Sequence, residues 1–155
     1  MLAEGGKPVN TASDLIAELR HILRDPQAVI WSDAELTHAL RQAYHDLLAA
    51  SGESWLIYGL DGENNPTTLP TILNSLLLRG ALGYALLGRA AERLDAFDYH
   101  AGQQAAALTT ARTLLDCFEK GLSGLNRYRL RRLQSTESAP YPPADDPQQP
   151  GWPLE

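Results

Sequence analysis

Ser32 and Glu35 stand three residues apart at the head of a long amphipathic stripe, and this pairing limits the fold more than any other local feature of the chain. It is a capping box: the Ser hydroxyl can accept from the backbone N–H at the third helical position, while the Glu carboxylate reaches back to the Ser N–H. Asp33 and Glu35 add negative charge at the positive end of the helix dipole. Beyond the cap, Leu36, Ala39, Leu40, Ala43, Leu47 and Leu48 recur at helical spacing. Trp31, just before the cap, is placed to staple onto Leu36 in the first turn. Upstream, Leu15, Ile16, Leu19, Ile22 and Leu23 form a second apolar stripe, with Thr11 or Ser13 as its cap. Asp25-Pro26 should stop that helix, because a residue before Pro is pushed out of the α region. Two helices follow from this stretch, over roughly 13–24 and 33–50, joined by a fixed corner.

The rest of the chain extends the helical pattern. Ser51-Gly52 is a stop signal. Residues 51–68 form a long connection with turn signals at Asp61-Gly62 and Asn64-Asn65-Pro66. Trp55, Leu56, Ile57 and Tyr58 lie inside it. A connection of this length is usually functional or disordered, but its apolar content suggests that it packs on something, and Trp55 folding back over the second and third helices is the alternative to an interface role. Pro70 suits the first turn of a third helix running to about Arg93. Its expected inward face holds Ile72, Leu73, Leu76, Leu77, Ala81, Tyr84, Ala85 and Leu87. Gly80, Gly83 and Gly88 lower its intrinsic helicity by about 1 kcal/mol each relative to Ala, while permitting close helix packing. A fourth helix is expected from about Ala96 to Lys120, with Ala105, Leu108, Ala111, Leu114, Leu115 and Phe118 inward. Gly121 and Gly124 should loosen the chain there, leaving Leu125 to Leu133 as a further turn or two or a bent continuation.

The expected fold class is therefore all-α. A four-helix bundle-like domain over residues 13–133 follows an N-terminal arm, 1–12, and precedes an extended Pro-rich tail, 134–155. The loop over 51–68 and both termini should project from it. At 155 residues, 44% of them hydrophobic, the chain has one domain's length and enough apolar material for a core. The tail carries Pro140, Pro142, Pro143, Pro147, Pro150 and Pro153 and little that could enter a core, so it is expected to be disordered or polyproline-like when free.

Charge divides the chain into three parts. Residues 1–119 carry 8 basic and 15 acidic groups, for −7. Residues 120–133 carry Lys120, Arg127, Arg129, Arg131 and Arg132 without an acid, for +5, and residues 134–155 carry Glu137, Asp145, Asp146 and Glu155, for −4. An acidic body argues against broad nucleic-acid binding. The basic block admits three readings: a solvated helix end, a phosphate contact, or pairing with an acidic protein surface.

Nothing in the sequence assembles a catalytic or metal centre. His38 and His45 are seven residues apart, unlike the i, i+4 pair of a helical zinc site, and Asp95, Asp98 and His100 cluster near an expected helix start, which is ordinary N-terminal charge placement. Cys117 is the single cysteine, so no internal disulfide or cysteine cluster can form. It falls among apolar residues, where an inert thiol is expected. Neither a phosphate-binding Gly-rich loop after a strand nor a Gly-Xaa-Ser-Xaa-Gly elbow is present. The expectation is no enzyme activity and no cofactor. The first residues lack a secretory pattern, and the apolar stretch Leu76–Leu87 is interrupted by Arg79, Gly80 and Gly83, so no membrane association is expected.

The order of helix 1, Asp25, Trp31, the Ser32-Asp33-Ala34-Glu35-Leu36 start, then Leu40 and Ala43 resembles the head–tail adaptor proteins of tailed bacteriophages, also called head-completion or connector proteins. The match covers about residues 15–50. Beyond it the likeness is one of pattern: two longer Ala/Leu-rich helices, a basic segment and an extended end. The resemblance implies a structural virion protein that assembles beneath the portal as a homo-oligomeric ring, typically a dodecamer. Such a ring extends the DNA channel, passes DNA without sequence-specific binding, and offers a platform to the next tail or neck component. It implies localisation at the head–tail junction of the virion, with the host cytoplasm as the site of assembly. In that setting Arg127, Arg129, Arg131, Arg132, Tyr141 and Trp152 become candidate portal-binding residues, and Trp55 and Tyr58 candidate contacts between subunits or with the tail. A cytosolic helical protein-binding module, acting as scaffold or regulatory subunit, is the competing class.

Overall fold

The computed structural model describes residues 11–60, 64–95 and 101–137. Four helices follow in order: α1 over Ala12–Ile22, α2 over Asp33–Ser51, α3 over Asn74–Asp95 and α4 over Ala101–Glu137. A 3-10 turn, Thr71–Leu73, leads into α3. No strand occurs among the described residues, and the fold is all-α.

Both predicted caps form. Thr11 Oγ1 accepts from the Asp14 N–H at 3.1 Å, and Asp14 accepts the Thr11 N–H in return. Ser32 and Glu35 repeat this at α2, at 3.2 and 2.7 Å. The Ser32 hydrogen bonds hold the Glu35 carboxyl below its ordinary range.

α3 is the central element, packed against both α2 and α4. Leu15 and Leu19 of α1, Leu40, Ala43 and Leu47 of α2, Leu77 and Ala81 of α3 and Phe118 of α4 form one buried cluster. Fully burying a side chain the size of Leu or Phe is worth about 1.5–3 kcal/mol. By length and composition Thr71–Glu92 could cross a membrane, but the core helix of a soluble bundle passes the same test. Here Leu77, Leu78, Ala81 and Ala85 are already buried inside the protein. The α3–α4 seam is close because it lacks side chains at key points. A Cβ at Gly80 would lie 2.8 Å from the Phe118 ring, and one at Gly121 would lie 2.4 Å from Leu76 Cδ1.

The structure corrects four expectations. α4 does not loosen at Gly121 and Gly124 but continues for 37 residues, about 55 Å at 1.5 Å per residue. Leu76 fills the space beside Gly121, so tertiary packing supports the helix where its intrinsic propensity is weak. The start of α3 also shifts. Pro70 opens the 3-10 turn rather than the α-helix, and the tighter winding of that turn rotates Ile72 outward, where it is 81% exposed. The 51–68 connection does not simply project. Ile57 and Leu60 are buried in the main cluster together with Leu69, and the Thr68 N–H donates to the Leu56 carbonyl at 2.9 Å. The apolar side chains draw the connection back over the bundle. At the far end of α4, Ala105 is exposed rather than inward.

A candidate docking groove and a closed corner

Two features stand apart from the regular packing. The first is the corner between α1 and α2. α1 ends at Ile22, before Asp25-Pro26 is reached. Its last carbonyls are satisfied by the Arg24 N–H to His21 O at 3.2 Å and the Asp25 N–H to Arg20 O at 2.9 Å. This is a Schellman closure, with Arg24 at φ 55 where glycine is usual. Ala28 adopts φ 54. Non-glycine residues in this region cost about 1–2 kcal/mol each, so the corner needs an offset. Asp25 supplies it. Its buried carboxylate accepts the N–H groups of Val29, Ile30 and Trp31 at 2.9, 3.0 and 2.7 Å. Burial alone would push this carboxyl up, but those three donors and the nearby Arg20 charge hold it below its ordinary value.

Arg20 completes the closure. It donates to the Trp31 carbonyl at 2.8 Å and pairs with Asp33 at 2.5 Å and Asp25 at 3.5 Å. Trp31 packs on Leu36, Ala39 and Ala85. The Arg89 guanidinium lies 4.9 Å from its ring centroid and donates to the Ile30 carbonyl. A cation so placed attracts the ring face. The second helix pair is locked in a related way: Tyr84 of α3 donates to Asp46 of α2 at 2.5 Å. Burial, that bond and the charges of Asp46 and Glu119 push the Tyr84 hydroxyl up to about 12.

The second feature is a groove of about 550 Å3 between the end of α2, the 3-10 turn and the last turns of α4. α2 stops at Gly52, which takes φ 67 and donates to Leu48 O at 2.8 Å. Ser51 Oγ accepts the Glu53 N–H at 3.2 Å and so tightens the exit. The chain then reaches Trp55, whose carbonyl accepts the Tyr44 hydroxyl at 2.6 Å. Thus Trp55 is half-buried against the core while its remaining surface lines the groove. Pro70, Ile72 and Leu73 supply the opposite wall.

α4 closes the groove with Leu125, Tyr128, Arg129, Arg132 and Leu133. These positions follow the i, i+3, i+4, i+7 spacing of one helix face. Arg129 lies directly over Gly52: a Cβ there would fall 2.4 Å from its Cζ. Gly52 is therefore needed both for its left-handed backbone and for this close approach. Arg132 is on the same wall. Arg127 and Arg131 are exposed but do not line it.

The structure thus divides the basic block into two faces and brings Trp55 together with Arg129 and Arg132. Tyr58 is 39% exposed, but it does not line the groove. Its backbone is tied instead to Thr67 Oγ1 at 3.0 Å and to the Ala12 N–H at 2.8 Å. Tyr141 and Trp152 lie outside the described residues. The sequence reading missed Pro70, Ile72 and Tyr128 as groove residues. Tyr128 carried a signal, since it falls three residues after Leu125 and beside two arginines. Ile72 carried none, because its outward position depends on the 3-10 turn. Among the described residues no three His, Cys, Asp or Glu side chains converge as a metal site. No family model, curated protein or solved structure matches this chain.

Proposed function

We propose that this chain is a structural head–tail adaptor of a tailed bacteriophage. It acts without catalysis or a bound cofactor, as a ring of copies between the portal and the next tail component. The sequence resemblance over residues 15–50 supplies the family. The observation that carries the docking part is the groove, which joins an apolar floor to two arginines. A bare phosphate backbone offers no partner for Ile72, Leu133 and the exposed face of Trp55. A protein segment with apolar and acidic groups does. The portal is the acidic partner in this reading, and Arg129 and Arg132 face it. Arg127 and Arg131 remain on the other face, toward a neighbouring copy or the DNA channel. Tyr141 and Trp152 anchor the tail segment on the portal, and the 51–68 connection serves a neighbouring copy or the tail side through Tyr58.

The test is a density map of purified particles. The expected result is a ring of this chain beneath the portal, with the groove covered by portal residues. Absence of the chain from purified particles would overturn the reading and favour a cytosolic protein-binding module.

A further inference from the structure

We infer that the groove is a seat for a helix: its occupant is an acidic amphipathic α-helix of the partner, laid along α4 between Leu125 and Leu133. The inference rests on the docking reading above and names the form and charge of the segment that docks.

Three observations carry it. The first is the shape of the wall. Leu125, Tyr128, Arg129, Arg132 and Leu133 occupy one face of α4 over about 12 Å. Their three- and four-residue spacing makes the inclined rows into which the ridges of a second helix pack. The floor is already built, because Trp55, Leu73 and Leu125 rest on the main core cluster. Above it, Ile72 on one wall and Tyr128 and Leu133 on the other are all exposed. The apolar stripe of an incoming helix meets apolar groups on both sides.

The second observation is the backbone. An extended segment that docks as a strand takes its main-chain partners from an open sheet edge. No strand occurs among the described residues. The amides of Gly52, Glu53 and Leu73 on the groove already donate to Leu48 O, Ser51 Oγ and Pro70 O. A helix satisfies its own backbone and asks only side-chain contact of the wall.

The third is charge. From Lys120 to Arg132 the chain carries five cations and no acid. A second copy of this stretch laid in the groove would set arginine against arginine, and such juxtaposition is costly. Arg129, held over Gly52, and Arg132 stand three residues apart on the groove wall. Carboxylates three or four residues apart on the flank of the incoming helix share one face and meet both. Arg127 and Arg131 do not line the groove and take no part.

The experiment selects binders to the immobilised full chain from two displayed peptide libraries, each peptide about four helical turns long. One library uses an Ala-rich helical frame and the other a Pro-rich extended frame, with equal numbers of randomised positions. Enrichment should come from the helical library, with apolar residues at i, i+3 or i+4, and i+7 and with Asp or Glu flanking them. Ile72→Asp with Leu133→Asp, both at exposed positions, should abolish that enrichment with the melting temperature unchanged. Arg129→Glu with Arg132→Glu should weaken the winning peptide by about tenfold, and selection against that variant should yield Lys- and Arg-flanked helices instead. In the nitrogen-15-labelled wild-type chain, the winner should shift the Trp55 indole N–H and the amides of residues 125–133. Winners from the Pro-rich library, helical winners without an acidic bias, or acidic winners that hold the reversed chain equally well would overturn the inference. So would enrichment no greater than on the Ile72/Leu133 variant. The phage reading fails separately: acidic helices selected by a chain that is absent from purified particles would uphold the inference alone. A particle map with the groove filled by an extended portal segment would do the reverse.

Discussion

The corner at Asp25 and the groove at Arg129 are both places where a helix ends in a left-handed residue, yet they meet their polar and apolar needs in opposite ways. At the corner, Arg24 takes the left-handed position with a bulky side chain. The cost is offset internally: Asp25 satisfies three N–H groups, Arg20 satisfies a carbonyl and two carboxylates, and Arg89 covers Trp31. At the groove, Gly52 takes the position without strain, and a cation is laid over it. There Ile72 is 81% exposed and Tyr128 65% exposed beside two arginines. The corner is closed on itself and sets the angle between helices. The groove is open, with apolar and basic side chains along its walls. Changes at the corner should therefore act on stability, and changes on the groove wall should act on binding.

The largest loss of stability is expected from Asp25→Ala. It strands three N–H groups in a buried turn and removes the compensation for Arg24 and Ala28. Its drop in melting temperature, followed by circular dichroism, should be several times that of Ser32→Ala. The corner also has a pH signature. Because the folded Asp25 carboxyl is held below its ordinary 3.8, its contribution is present above that value and is lost as pH falls through the folded one. Asp25→Asn should flatten the acid limb of the stability profile below about pH 4. An unchanged acid limb would remove Asp25 as the source.

Gly52→Ala comes next, at about 1–2 kcal/mol from the backbone alone. It should cost measurably less in an Arg129→Ala background, because the displaced guanidinium is then absent. Denaturant titration of the four chains of this cycle gives the coupling. Ser32→Ala is smaller, at about 1 kcal/mol, and is read in the same titration. Reversing Arg129 and Arg132 to Glu should be smallest, within about 0.5 kcal/mol each, as expected of exposed positions.

How far each region could be read from sequence follows its physical origin. The Ser32 box was legible because all its partners lie within four residues. Trp31 on Leu36, five residues apart, was legible as an apolar pair flanking that cap. Asp25 was read only as a residue before proline. Its actual work is to gather amides four to six residues on, after a turn that its neighbours Arg24 and Ala28 enter against their backbone preference. The groove was half legible. The arginines and Trp55 stood out by composition, but their meeting depends on α4 continuing through Gly121. That continuation rests on Leu76, forty-five residues earlier, filling the missing side chain's place. Likewise, Ile57 and Leu60 had the composition of core residues, but only the packed bundle shows where they are buried.

The division between a structural corner and a docking groove is tested most directly by charge reversal on the two faces of α4. Arg129→Glu/Arg132→Glu and Arg127→Glu/Arg131→Glu would be compared with the wild-type chain for attachment to purified portal rings, with melting temperature measured alongside. The groove pair should lose attachment while its melting temperature stays close to wild type, and the outer pair should retain attachment. Full attachment by the groove pair, or a loss that merely tracks a fall in melting temperature, would contradict the account.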